Sequence, residues 1–175
     1  DKQVQNSLRG NKGISIIELL VGAGILTMSL SALLGFLVFA LSTASLVKQQ
    51  TQALTLAEGA LETLRNFRDG TAWNVDDPQN QYDGLGKAQT GVPYHMGVSG
   101  DTPPRWQLLS GVQTLGMFTR SVVLENVQRD VESAIVAGGG IDDPNTKKVT
   151  VTVSWQAKTK PQEVTIVTYL TNWRQ

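Results

Sequence analysis

The residues of this chain that could do chemistry are few, and most of them stand alone. His95 is the single histidine, set in Val92-Pro93-Tyr94-His95-Met96 with no serine or acid motif around it. One imidazole cannot make a two-histidine metal site. Without a nucleophile and an orienting carboxylate, it reads as a surface or packed residue of a Gly/Pro-rich loop rather than a catalytic base. There is no cysteine, hence no disulfide, thiolate ligand or thiol nucleophile. Gly138-Gly139-Gly140-Ile141-Asp142-Asp143-Pro144-Asn145 is a glycine-rich turn with clustered oxygen donors. Its spacing does not fit an EF-hand calcium loop, and no helix with Lys-Ser/Thr follows to make a phosphate loop. A plain strand connection is expected there. No triad, metal set or cofactor loop can be assembled from these residues, so neither an enzyme nor a bound cofactor is expected.

One carboxylate is harder to dismiss. In Gly13-Ile14-Ser15-Ile16-Ile17-Glu18-Leu19-Leu20-Val21 an acid sits just inside an apolar stretch. Buried without a partner it would cost several kcal/mol. The nearest cation, Lys12, precedes the stretch and can reach it only by snorkelling along the interface. Glu18 is therefore either solvated at the level of lipid headgroups or paired with a charge from outside its own chain.

The elements that position Glu18 follow from charge and hydropathy. The 175 residues are enough for one ordinary domain, and 15 Lys plus Arg balance 15 Asp plus Glu, which leaves no basic excess for nucleic acid. From Leu19 to Val47 about 29 residues carry no charge and no proline, more than the roughly 20 that cross a bilayer core as a helix. Serines and threonines inside such a run can donate back to helix carbonyls. Lys2, Arg9 and Lys12 against Asp1 make the preceding flank positive. This predicts a single span in the cytoplasmic membrane with the C-terminal part outside. The run is too long for a secretory h-region and ends in no small-x-small cleavage site. After Lys48 the helical beat continues in Leu54, Ala57, Leu61, Leu64 and Phe67, with Ala53 and Ala60 beside them. Glu58, Glu62, Arg65 and Arg68 fall on another side, and Asp69-Gly70 is the expected stop. A helix from Ile14 to Arg68 would be on the order of 80 Å long.

The basic leader, Gly13, the mostly apolar residues 14–17, Glu18 and Leu19-Leu20-Val21 together resemble the processing signal of type IV pilins and type II secretion pseudopilins. The resemblance implies cleavage after Gly13 by a membrane-embedded prepilin peptidase and N-methylation of the new terminus at Ile14, where Phe or Met is commoner. It also implies pairing of Glu18 with the terminal amine of a neighbouring subunit. The implied partners are other pilins of one filament, the peptidase, an inner-membrane assembly platform and, before assembly, membrane lipid. Residues 1–13 would be the leader, in a chain whose lack of an initial Met leaves room for a longer one. Residues 14–48 would be the membrane and assembly half of the helix, and 49–69 its amphipathic half. Where family members often kink the helix with proline this chain has Gly35. With Gly22 and Gly24 it would either loosen the helix in a filament or permit close helix approach. Some pseudopilins bind calcium in a C-terminal loop, which makes Asp142, Asp143 and Asn145 a candidate site. ALTLAEGALETLRNFRDGTAW, KKVTVTVSW and TYLTNWR further resemble PilV-like minor pilins. A secretion pseudopilin and an unprocessed membrane-anchored binding module are the alternatives.

The rest is expected to complete an α+β, pilin-like roll: a long N-terminal helix packed on an antiparallel sheet. Residues 70–104, rich in Asp-Pro, Asp-Gly, Gly-Val-Pro and Pro-Pro turn signals, are placed in a loop section. The sheet is placed in 105–175. Strands are expected at Arg105–Leu109, at Met117–Leu124 with Phe118, Val122 and Leu124 on a face interrupted by Arg120, at Lys147–Trp155 and at Glu163–Leu170. The last two join in a hairpin through AKTKPQ. Trp155 is expected in the core, with Trp73, Trp106 and Trp173 at a rim or interface.

Overall fold

The computed structural model describes residues 13–79, 82–157 and 160–173. Residues 1–12, expected to belong to a leader and including Lys2, Arg9 and Lys12, lie outside the described residues. Among the described residues there are one helix, α1 (Ile16–Gly70), and seven strands, and the chain divides into two compact units, Asp1–Ser45 and Leu46–Gln175.

In the first unit α1 starts at Ile16, two residues later than the apolar pattern alone suggests, because Ser15 takes the N-cap position. Its carbonyl accepts the first helical bond, from the Leu19 amide at 3.1 Å. The helix continues unbroken through Gly22, Gly24 and Gly35. The large apolar side chains along it are uncovered, from Ile16 at 81% exposed to Leu41 at 63%. Thr27, Ser31 and Ser42 donate to the carbonyls of Gly24, Thr27 and Phe39 at 2.8–2.9 Å. No hydroxyl among these three needs water, as a membrane phase requires. By length and composition this helix is able to cross a membrane.

The second unit holds the end of α1 and an antiparallel sheet ordered β2-β1-β4-β6-β7, with β3 and β5 as short additions to β4. The strands are β1 (Pro93–Val98), β2 (Trp106–Ser110), β3 (Gln113–Leu115), β4 (Phe118–Arg129), β5 (Ile135–Val136), β6 (Ile141–Ala157) and β7 (Lys160–Thr171). The α+β expectation is met, since the buried side of α1 shares one core with the sheet. Ala53, Ala57, Ala60, Leu61, Leu64 and Phe67 are buried there with Phe118, Val122 and Leu124 of β4 and Val149, Val151, Val153 and Trp155 of β6. Three alanines on one stripe keep the helix surface slim opposite bulky residues, as close packing of a helix on a sheet needs. Phe118 and Trp155 are register partners, with ring centroids 5.7 Å apart and tilted by 57°.

Several expectations are corrected. The 70–104 section is not all loop, because it contains β1, an interior strand of the sheet. Pro93 is tolerated as the strand's first residue, Tyr94 and Met96 point into the core, and Gly97 leaves the space that Leu109 of β2 fills. His95 therefore belongs to a strand. Trp73 is core rather than rim, 6% exposed, and Gly84 and Gly86 pack so closely over it that any Cβ there would collide. Leu54 is exposed, because the buried stripe runs through Ala53 and Ala57 and passes it by. Arg120 does not interrupt the inner face of β4 idly: it donates to the Leu56 carbonyl of α1 at 2.9 Å and to the Gln113 amide oxygen. Finally, β6 starts at Ile141, so Asp142, Asp143 and Asn145 are strand residues.

Candidate functional site

The residues expected to be processed or to drive assembly lie where α1 begins. Gly13, Ile14 and Ser15 precede the helix and are exposed, so the Gly13–Ile14 peptide lies in non-helical, uncovered backbone. A side chain at position 13 would meet nothing within 4 Å among the described residues. The chain's own packing does not demand glycine there.

Glu18 is exposed in the first turn of α1. Ser15 at the N-cap and Glu18 three residues on have the spacing of a capping box, a signal present in the sequence and missed in reading it. A carboxylate in a first turn also meets the positive end of the helix dipole, worth about 0.3–1 kcal/mol. Glu18 has no ion pair or side-chain hydrogen bond among the described residues. From Glu18 the next charged residue along α1 is Lys48. It too is exposed and free of such a partner among the described residues.

No family model, curated protein or solved structure matches this chain. Its residues alone carry the functional assignment.

The other candidates are spent on the fold. At the calcium candidates, adjacent strand residues face opposite ways, and each side chain is already engaged. Gln128 Nε2 donates to Asp142 at 2.9 Å, and Arg129 Nε donates to one Asp143 oxygen at 2.7 Å. The Asn145 amide donates to the other at 2.9 Å, and Asn172 Nδ2 donates to Asn145 Oδ1 at 3.2 Å. Burial opposes ionisation of Asp143, but the hydrogen bonds from Arg129, Thr146 and the Asn145 amide overcome it and hold the carboxyl below its ordinary range. A cleft beside these residues also contains the Lys147 ammonium, a charge that repels a cation. Among the described residues no three His, Asp or Glu side chains gather as ligands.

Lys147 itself is buried, with Nζ 2.7 Å from Asn126 Oδ1 and 3.5 Å from the Ala88 carbonyl. Burial lowers its pKa from the usual lysine value. The signal for its burial was strand parity, because Lys147 shares a face with Val149, Val151, Val153 and Trp155. His95 is half-buried, and its Nδ1 is the one buried side-chain polar atom without a hydrogen-bond partner among the described residues. No nucleophile is bonded to that nitrogen.

Between Asp143 and Lys147 the β6 strand carries three extra residues. Val127 pairs with Asp143 and Asn126 with Lys147, so Pro144, Asn145 and Thr146 bulge out. Trp73 Nε1 donates to the Pro144 carbonyl at 2.8 Å and the Asn172 amide to the Asn145 carbonyl at 2.8 Å. Trp173 Nε1 reaches Asp69 Oδ1 at the end of α1 at 3.0 Å. The glycine-rich turn and its acids thus serve a structural tie.

Proposed function

We propose that this chain is a structural filament subunit of the pilin type, a minor pilin processed after Gly13 and assembled through α1. The carrying observation is a helix whose apolar first part is uncovered and is headed by Gly13 and Glu18, neither of which has a side-chain partner among the described residues. Bare apolar surface on this scale calls for lipid or protein cover. Lipid supplies it while the chain is a single-span membrane protein, held with the positive leader inside and the sheet unit outside. Neighbouring helices supply it in the filament. Prepilin peptidase cuts the Gly13–Ile14 bond and methylates Ile14. The new amine then meets Glu18 of the neighbouring subunit, because a carboxylate leaving water is stabilised only by an opposite charge at short range. Sequence-independent contact through the apolar helix gives drive, and the charge gives register.

The test is intact mass and N-terminal sequence of the chain co-expressed with prepilin peptidase, against a peptidase-free control. A new terminus at methylated Ile14, seen only with the peptidase, is expected. An uncut chain beside a control pilin that is cut refutes the proposal.

A further inference from the structure

Away from the start of α1, one charge is held where charges are seldom left alone. Lys147 of β6 is 6% exposed and forms no ion pair among the described residues. Its neighbours are paired: Lys148 Nζ lies 2.9 Å from Glu125, and Arg129 Nε lies 2.7 Å from Asp143. An ammonium carries three protons to donate. Lys147 Nζ meets Asn126 Oδ1 at 2.7 Å and has only the Ala88 carbonyl besides, at 3.5 Å. Its third proton has no acceptor among the described residues. A charge taken out of water without a counter-charge is strongly disfavoured.

The ammonium lines a cleft of about 420 Å³, together with Thr90, Asn126, Asp142 and Asp143. That is the size of a small-molecule site. Asn126 Oδ1 accepts from Lys147 and also from the Thr90 hydroxyl, at 3.2 Å. The Asn126 Nδ2 protons are thereby left for an acceptor from outside the chain. The acids limit the charge of such an acceptor. Both Asp143 oxygens are held, by Arg129 and the Asn145 amide, whereas Asp142 accepts from the Gln128 side chain and has no cation paired with it. One negative charge balances Lys147, and a second would face Asp142 unbalanced. Burial holds the Lys147 pKa below the usual lysine value, and a bound counter-ion would lift it.

We propose that this cleft binds a small monoanionic carboxylate, which serves as the counter-ion of Lys147 and accepts a further hydrogen bond from Asn126 Nδ2. Charge-assisted bonds from the ammonium supply the affinity, and the unpaired Asp142 rejects dianions. All of these residues belong to the second unit, and none of them takes part in the filament reading above.

The test is the thermal unfolding midpoint of the full chain in detergent, at constant ionic strength. The probe is N-acetylglycine, with N-acetylglycinamide as its uncharged counterpart and phosphate as the dianion. A saturable rise with N-acetylglycine is expected, with none from the amide and a weaker response to phosphate. Lys147→Met should weaken binding about tenfold or more, the loss of a hydrogen bond from a charged group. Asp142→Asn, at an exposed position, should tighten it up to about fivefold. No rise with N-acetylglycine, an equal rise with the amide, or an undiminished rise in Lys147→Met overturns the site. Tighter binding of phosphate than of N-acetylglycine overturns its choice of a single charge.

Discussion

Glu18 has two roles open to it, and they differ in energy enough to be separated. As a first-turn acid it stabilises its own helix by about 0.3–1 kcal/mol through the dipole. As a desolvated partner of a neighbouring cation it does more, since breaking a buried pair by removing one member costs about 3–5 kcal/mol. Glu18→Gln keeps size and shape and removes only the charge. At about 1.4 kcal/mol per factor of ten, loss of the pair lowers incorporation about 100-fold or more. Ser15→Ala changes the N-cap residue and leaves the charge, so incorporation should fall by less than about tenfold. The assay is the amount of subunit in sheared filaments relative to processed subunit in the membrane, by immunoblot. Processing should stay intact in both variants. If Glu18→Gln incorporates within about threefold of the wild type, or falls no further than Ser15→Ala, the acid acts only on its own helix and no pair forms.

Gly13→Ala should leave the fold unchanged, as no atom of the described residues lies within 4 Å of the added carbon, while intact mass shows the leader retained. Leu64, fully buried, should cost about 3–4 kcal/mol as Leu64→Ala in unfolding of the full chain in detergent, against less than about 1 kcal/mol for Leu54→Ala. Trp73→Phe deletes the bond to Pro144 and should cost about 1 kcal/mol or more in the same measurement. Asp143 titrates below its ordinary value in the fold. Its stabilising contribution is therefore present above the unfolded carboxyl pKa, about 4, and is lost as pH falls through the folded value. Asp143→Asn should flatten that part of an acid unfolding curve. Lys147 is also lowered in the fold, so the burden of its charge lifts as pH rises toward about 10.5, and Lys147→Met should remove this alkaline gain.

The periodic elements were legible in the sequence because their periods were strong. The stripe Ala57, Leu61, Leu64, Phe67 and the stop at Asp69-Gly70 appear as read, and alternation in Val149–Trp155 and Val164–Leu170 gave two neighbouring strands. β1 was hidden because Gly91, Pro93 and Gly97 look like loop punctuation. What makes it a strand is cross-strand space for Leu109, which only the tertiary structure provides. Leu54 misled because the helix meets the sheet along a narrow stripe, and a leucine one position off it stays outside. The acids at 142 and 143 carried no local sign of Gln128 and Arg129, their partners across β4. At the candidate site the pattern around Gly13 and Glu18 was visible at once. That neither residue is needed by the chain's own packing could be seen only in the structure.

The bulge at Pro144–Thr146 has a consequence for where the protein can mature. The segment after α1 and the end of β7 are both fastened there, by the Trp73 and Asn172 bonds to two carbonyls, and the chain contains no thiol. Closing the sheet unit thus needs no oxidant, no isomerase to sort pairings and no compartment of a particular redox poise. Such a fastening forms as soon as the strands meet and reopens without chemical damage.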